Sequence, residues 1–197
     1  MELNGNETGE TPLEEEEREG LKLHFISSKS ELNEFEQQNI EDAMIWLEGK
    51  QLSQNNILSQ KFICQLHDKM FCKVWKWSGK FRNSDKNIGS HYKEIPIALK
   101  ILCDDTLYWI ENKIFDPDEI AIRFKHKLVS IHCFPNGNGR HSRLMADIII
   151  EKIFGENVFT WGMHSNASGI QLRETYIKSI RAADQNNYAA LLKFCRT

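Results

Sequence analysis

Several features that would narrow the function are missing from this sequence. No apolar run in its 197 residues approaches the ~20 that a membrane-spanning helix needs, so no membrane association is expected. No basic-then-apolar leader opens the chain, so no secretory signal is expected. Cysteine is scarce and odd in number: Cys64, Cys72, Cys103, Cys133 and Cys195, with no Cys-x-x-Cys pair. That argues against a disulfide framework or a zinc site and for a reduced, cytoplasmic setting. Strong charge of one sign is also missing. The net charge is −3, which gives no basis for direct nucleic-acid binding.

The charge that is present is unevenly spread. Residues 1–20 carry eight Glu and one Arg, together with Gly5, Gly9, Pro12 and Gly20, and leave the remainder at +4. The segment reads as an acidic, flexible tail, and residues 21–197 as one domain large enough to hold a core.

Helical spacing dominates that domain. Leu32, Phe35, Ala43, Trp46 and Leu47 predict a helix over about 31–48. Ser59 caps a second helix carrying Phe62, Ile63, Leu66 and Met70. Pro96 begins a third, with Leu99, Leu102, Thr106 and Ile110 in register. Asp116-Pro-Asp-Glu119 reads as a start signal, with Asp116 as N-cap, Pro117 in the first turn and Glu119 closing a capping box. Ile120, Phe124, Leu128 and Ile131 form the stripe behind it. Leu144 to Ile153 predict another helix, stopped by Gly155. Two more follow, around Leu172–Ile180 and Tyr188–Cys195. Residues 77–95 break the pattern: polar turn formers surround isolated apolar residues, as in a β-hairpin or a loop lying on a helical body.

The densest chemistry lies in His132-Cys-Phe-Pro-Asn-Gly-Asn-Gly-Arg-His-Ser-Arg143. An imidazole at the end of one helix is placed to take a proton from a hydroxyl. A helix C-terminus by itself favours the imidazolium, so a neighbouring feature must keep the base neutral. Gly137, Asn138 and Gly139 let backbone N–H groups approach an anion, and the helix starting near Arg140 adds its N-terminal dipole. Arg140 and Arg143 stand three apart on one helical face, where each fork can hold phosphate oxygens. The Asn138 amide can donate to a phosphate, and Phe134 anchors the loop in the core. Each element alone is usually structural: a satisfied histidine, a turn, a solvated arginine pair. Their conjunction in twelve residues points to phosphate chemistry.

The string resembles the core motif of the Fic (Fido) family, His-x-Phe-x-(Asp/Glu)-Gly-Asn-Gly-Arg-x-x-Arg. The likeness extends over about residues 21–197: Trp77-Ser-Gly-Lys-Phe-Arg82, Ile88-Gly89 and Tyr92 to Pro96 are similar to the family's approach to its flap. A Pro-Asn-Gly-Asn-Gly-Arg-His core and Phe159-Thr-Trp-Gly162 are similar to the bacterial subgroup called mobile mystery protein B. The resemblance implies a mainly α fold, a Fic-type helical bundle with a small β-hairpin flap over the active site. It implies a protein adenylyltransferase (AMPylase) that uses ATP with Mg²⁺. His132 would be the base, and Gly137, Asn138, Gly139, Arg140 and Arg143 would bind the nucleotide. Ile88, Gly89 and Tyr92 would form the target-binding flap, and the partner would be a protein presenting a Tyr, Ser or Thr hydroxyl. It also suggests a helix-turn-helix, antitoxin-like gene neighbour.

Asn136 and Cys133 depart from the family pattern. Asn136 stands where the family has a metal-binding carboxylate, and a neutral amide is a poorer ligand for a hard cation. Cys133 stands where the family has proline. The family's inhibitory (Ser/Thr)-x-x-x-Glu-(Gly/Asn) string has no clean copy: in Ser30-Glu-Leu-Asn-Glu34 the last position is Phe35, leaving Glu34 as a candidate inhibitory group. Two alternatives stay open, a Doc-like phosphotransferase and a non-catalytic nucleotide- or protein-binding module.

Overall fold

A computed structural model describes residues 19–23, 25–26, 28–165 and 168–197. The expected acidic tail falls outside these residues up to position 18. In chain order the helices are α1 (Lys29–Leu47), α2 (Gln54–Ile57), α3 (Gln60–Phe71), α4 (Ile95–Glu111), α5 (Pro117–Ile131), α6 (Asn138–Ile148), α7 (Gly169–Asp184) and α8 (Ala189–Arg196). A 3₁₀ turn, Tyr92–Glu94, leads into α4, and a π-helical turn, Ile149–Ile153, extends α6. The mainly α class is the one the sequence implies.

Caps set most of these boundaries. Ser59 accepts from the Phe62 N–H and opens α3. Ser28 with Glu31, and Ser168 with Gln171, form complete capping boxes at α1 and α7, in which side chain and backbone satisfy each other's orphan donors. The box expected at Asp116 does not form. Pro117 does sit in the first turn of α5, but Asp116 makes no capping hydrogen bond, and the Glu119 carboxylate is taken by Arg123 at 2.7 Å. Arg123 is held in turn between the Phe115 and Tyr188 rings. Gly155, at φ +72°, ends the π turn as expected, its N–H donating to the Glu151 carbonyl.

Packing is built around an α5–α6 hairpin. α5 contributes Ile120, Phe124 and Leu128, α6 contributes Met145 and Ala146, and all are buried. Burying each of the four larger side chains is worth roughly 1.5–3 kcal/mol relative to exposure. α4 packs on one side of α5, while α7 and α8 pack together, α8 also against α5. α1 lies along α3. It is pinned there by Asn39, whose amide donates to the Lys69 carbonyl and whose oxygen accepts from the Lys73 N–H.

α1 is rotated from the expected stripe. Phe35 faces outward against Phe25, and Glu36 and Asn39 are buried with Leu32 and Ala43. The buried line Leu32, Glu36, Asn39, Ala43 and Leu47 keeps helical spacing but includes two polar residues, which a purely apolar reading passes over.

The hairpin expected within 77–95 is also not formed. Among the described residues the strand-like pairing is one isolated bridge, Leu21 to Trp75. Residues 77–91 run as turns and bends. They lack the alternation that would give one buried face. Instead, Phe81 packs on Phe134, Trp77 stacks on Trp75, and carbonyls of the segment are collected by Arg82.

Candidate functional site

The site grows from the six-residue link between α5 and α6. His132 ends α5 in the left-handed conformation, φ 56° and ψ 60°, which is uncommon for a non-glycine residue. Its ring is buried, and neither ring nitrogen has a hydrogen-bond partner. Burial, then the charges of Arg82 and Lys86, push its pKa down to about 4. The imidazole is therefore neutral at pH 7, and these three influences outweigh the helix C-terminus. A buried nitrogen without a partner is costly in a folded protein and is a common mark of a site that awaits a ligand.

The following loop is closed by its own side chains. Asn138 Oδ1 accepts the Phe134 N–H at 3.0 Å, and Nδ2 donates to the Phe134 carbonyl at 2.8 Å. The Asn138 amide thus straps the loop, a different use from the phosphate contact the sequence suggested. Phe134 is fully buried and stacks on His67, with ring centroids 3.7 Å apart. His67 Nδ1 accepts the Gly79 N–H at 3.0 Å, so its proton sits on Nε2 and is given to the Asn136 carbonyl at 3.1 Å. Burial lowers the His67 pKa well below normal and keeps that arrangement neutral.

The two glycines differ. Gly137 has φ +77°, and a Cβ there would lie 2.5 Å from the Phe71 ring, so position 137 has no room for a side chain. A Cβ at Gly139 would meet nothing within 4 Å. The first turn of α6 thus presents open backbone, as anion binding at a helix N-terminus requires.

Arg140 and Arg143 leave α6 toward different neighbours. Arg140 Nη1 pairs with Glu36 of α1 at 2.7 Å, and its guanidinium lies 5.0 Å from the Phe71 ring centre. Arg143 lies over Tyr176 of α7, 5.6 Å from the ring centre. Glu34 is exposed, so the carboxylate that meets a motif arginine is Glu36, two residues later. Behind Arg143, Lys125 of α5 is fully buried, 4.6 Å from the same tyrosine ring, and its amine has no hydrogen-bond partner. Burial and then Arg143 lower its pKa to about 7.

The segment leading to the site lies directly on His132. Gly89 has φ +101°, and a Cβ there would be 2.6 Å from His132 Cβ. Ile88 points outward, and the Tyr92 N–H donates to Asp85 Oδ1 at 2.9 Å. Cys133 is fully buried, which pushes its thiol pKa up and leaves it unreactive. All five cysteines are free thiols.

A magnesium ion held by the protein does not fit these residues. Among the described residues no group of three or more His, Cys, Asp or Glu could hold a metal. Asn136 Oδ1 is neutral and already accepts the Gly137 N–H at 2.7 Å. Asp147, two turns beyond Arg140, is committed to Trp161 Nε1 and the Phe159 N–H.

His67, Arg82, Glu36 and Lys125 lie outside the twelve-residue string that points to the site. Three of them carried a signal, since each is a polar residue on the buried face of a helix: Glu36 between Leu32 and Ala43, His67 between Ile63 and Met70, Lys125 between Ala121 and Leu128. Arg82 lies in irregular backbone, where spacing carries no such information.

Comparison with known proteins agrees with this geometry. The Fic/DOC family model matches residues 57–150, which include α3, the turn-rich segment and the whole α5–α6 hairpin. A curated relative, Protein adenylyltransferase Fic of Aedes aegypti, is 26% identical over 159 residues, covering 79% of this chain. The chain spans only 30% of that relative's length. Among solved structures, the N-terminal Fic domain of a Bartonella effector protein (strain AR 15-3) superposes with a TM-score of 0.68 at 14% identity, covering 89% of this chain and 84% of that one. The BepC protein of Bartonella tribocorum, solved with bound AMPPNP, superposes with a TM-score of 0.66 at 15% identity, covering 87% of each chain. The Fic/DOC match thus covers the motif and the helices that carry it, and the solved Fic domains share the fold.

Proposed function

We propose that this chain is a protein adenylyltransferase, transferring AMP from ATP to a Tyr, Ser or Thr hydroxyl of a target protein. The observation that carries the reading is His132: a neutral imidazole with two unpartnered nitrogens, one short loop away from the open N-terminus of α6. His132 takes the proton of the target hydroxyl. The hydroxyl oxygen forms a bond to the α-phosphorus as the bond from that phosphorus to the bridging oxygen breaks, and pyrophosphate leaves. Backbone N–H groups in the first turn of α6, beyond the engaged Gly137, hold the phosphate oxygens that gain charge. Arg140, steadied by Glu36, and Arg143 neutralise the rest of the triphosphate. Mg²⁺ enters as part of the substrate, carried by the nucleotide phosphates.

The curated relative's printed name, and the AMPPNP in one structural neighbour, support an adenine nucleotide and this reaction class. A second reading, a nucleotide-binding module without transfer, is favoured by the neutral and engaged Asn136. The likeness to mobile mystery protein B, and with it a bacterial origin and an antitoxin-like partner, rests on sequence strings alone. A reducing, cytoplasmic setting accords with five free thiols.

ATP labelled at the α or the γ position separates the possibilities, with self-modification and a cell lysate as acceptors. Protein retaining α label supports adenylyl transfer. Retention of γ label alone would replace it with phosphoryl transfer, and no label with either Mg²⁺ or Mn²⁺ would leave the binding module.

A further inference from the structure

Arg82 lies outside the twelve-residue string, between α3 and α4, and is only 3% exposed. Its guanidinium gathers three carbonyls. Nε–H donates to the His132 carbonyl at 2.7 Å, Nη1–H to the Ser84 carbonyl at 2.7 Å, and Nη2–H to the Ser90 carbonyl. Its own backbone N–H donates to the Cys133 carbonyl at 3.0 Å, and the Ser90 N–H donates to the Ile131 carbonyl at 3.1 Å. One side chain therefore holds both ends of the 84–90 loop and the backbone of the residue that carries the base.

Gly89 completes the contact. Its Cα faces His132 so closely that an added Cβ would lie 2.6 Å from His132 Cβ, 3.0 Å from Arg82 Nη2 and 3.0 Å from the Ile131 carbonyl. Only the planar, five-donor guanidinium can serve three acceptors in different directions, whereas a lysine ammonium on its flexible stem reaches them poorly.

We infer that Arg82 is a positioning residue, whose guanidinium locks the 84–90 loop to the His132 backbone so that a hydroxyl presented along the loop meets the imidazole. This rests on the transferase reading and names the residue that couples target presentation to the base. Arg82 bonds the α5–α6 link at His132 and Cys133, the end away from Gly137, so its role is expected to separate from nucleotide binding. Its charge, with that of Lys86, also faces the imidazole and opposes its protonation.

The test uses the full chain with Arg82→Gln, Arg82→Lys and Gly89→Ala. The last pushes the loop off His132 and crowds Arg82 Nη2 while keeping the guanidinium and its charge. Four quantities are measured: affinity for a non-hydrolysable ATP analogue, the rate of α-label transfer, hydrogen exchange at residues 85–90, and the NMR titration of the His132 ring. In all three variants, analogue affinity is expected to stay within about twofold, loop exchange to rise, and transfer to fall by about 100-fold, the scale of loss from an ångström of misplacement. The imidazole pKa should rise in all three as the loop loosens and burial lessens, and rise furthest in Arg82→Gln, where a positive charge is lost as well. Wild-type transfer and exchange in folded variants, or a loss of analogue affinity equal to the loss of transfer, would overturn the inference. If the unaltered chain transfers no label, the transferase reading fails. Exchange and titration then decide whether Arg82 holds the loop and base together.

Discussion

The carboxylate of Glu36 lies 2.7 Å from the guanidinium of Arg140, joining α1 to the first arginine of α6. Glu36 is itself fixed, because it is buried and also accepts from Trp75 Nε1 at 2.5 Å. Arg140 is thereby held between a carboxylate and the Phe71 ring before any nucleotide arrives. A guanidinium oriented in advance loses less freedom when it binds phosphate.

Replacing Glu36 with Gln keeps an acceptor for Trp75 and removes the charge that faces Arg140. Stability in thermal or urea unfolding is expected to fall by about 1–3 kcal/mol, the usual cost of breaking a hydrogen bond to a charged group. Calorimetric affinity for an ATP analogue should fall severalfold. Tighter binding would show instead that Glu36 competes with phosphate for Arg140.

His132→Ala should reduce α-label transfer by at least the ~10²–10⁴-fold that a positioned general base contributes, and leave analogue binding close to wild type. Persistence of transfer would remove His132 as the base. With the pKa at about 4, below the ordinary 6.5, the base stays neutral well below pH 6.5, and the acid limb of the rate profile should lie there. The same shift sets a stability slope. The fold disfavours the imidazolium, so this contribution is whole above pH 6.5 and is lost as pH falls toward 4. His132→Gln should remove that part of the slope.

Lys125 is a buried cost. Its pKa falls from 10.5 to about 7, so the fold disfavours the ammonium, and stability should rise with pH between about 7 and 10.5. Lys125→Met keeps the chain's bulk and removes the charge. It is expected to stabilise the protein at pH 7 by roughly 2–4 kcal/mol, at about 1.4 kcal/mol per pKa unit less the lost contact with the Tyr176 ring. It should also flatten the slope. A destabilised variant would mean that the amine has an anionic or water partner.

Asn136→Asp retains an acceptor for the Gly137 N–H and adds a charged oxygen next to the phosphate loop. If Mg²⁺ on the nucleotide reaches position 136, the Mg²⁺ concentration for half-maximal labelling should drop, since the cation prefers charged oxygen ligands. An identical metal titration in the two proteins would place the cation away from this side chain.

The sequence by itself determined most of the helices and the ends of the α5–α6 link. Pro117 and Gly155 act on their own backbone, Ser59 caps the helix that follows it, and the stripes of α3 and α5 follow from 3.6-residue periodicity, all interactions that reach no further than a turn or two. His132 at the end of α5 was readable on the same terms, whereas the lack of room at Gly137 is set by Phe71 of α3. Tertiary structure alone decided how the polar groups are partnered. It turned Phe35 out and Glu36 in, gave Arg140 and Arg143 different neighbours, and spent the Asn138 amide on Phe134. It also made a knot around Arg82 where a hairpin was one expectation. The reason is physical. A buried donor or acceptor must find a partner within about 3 Å wherever the chain supplies one, and that partner is set by the packing of distant segments rather than by the order of neighbouring residues.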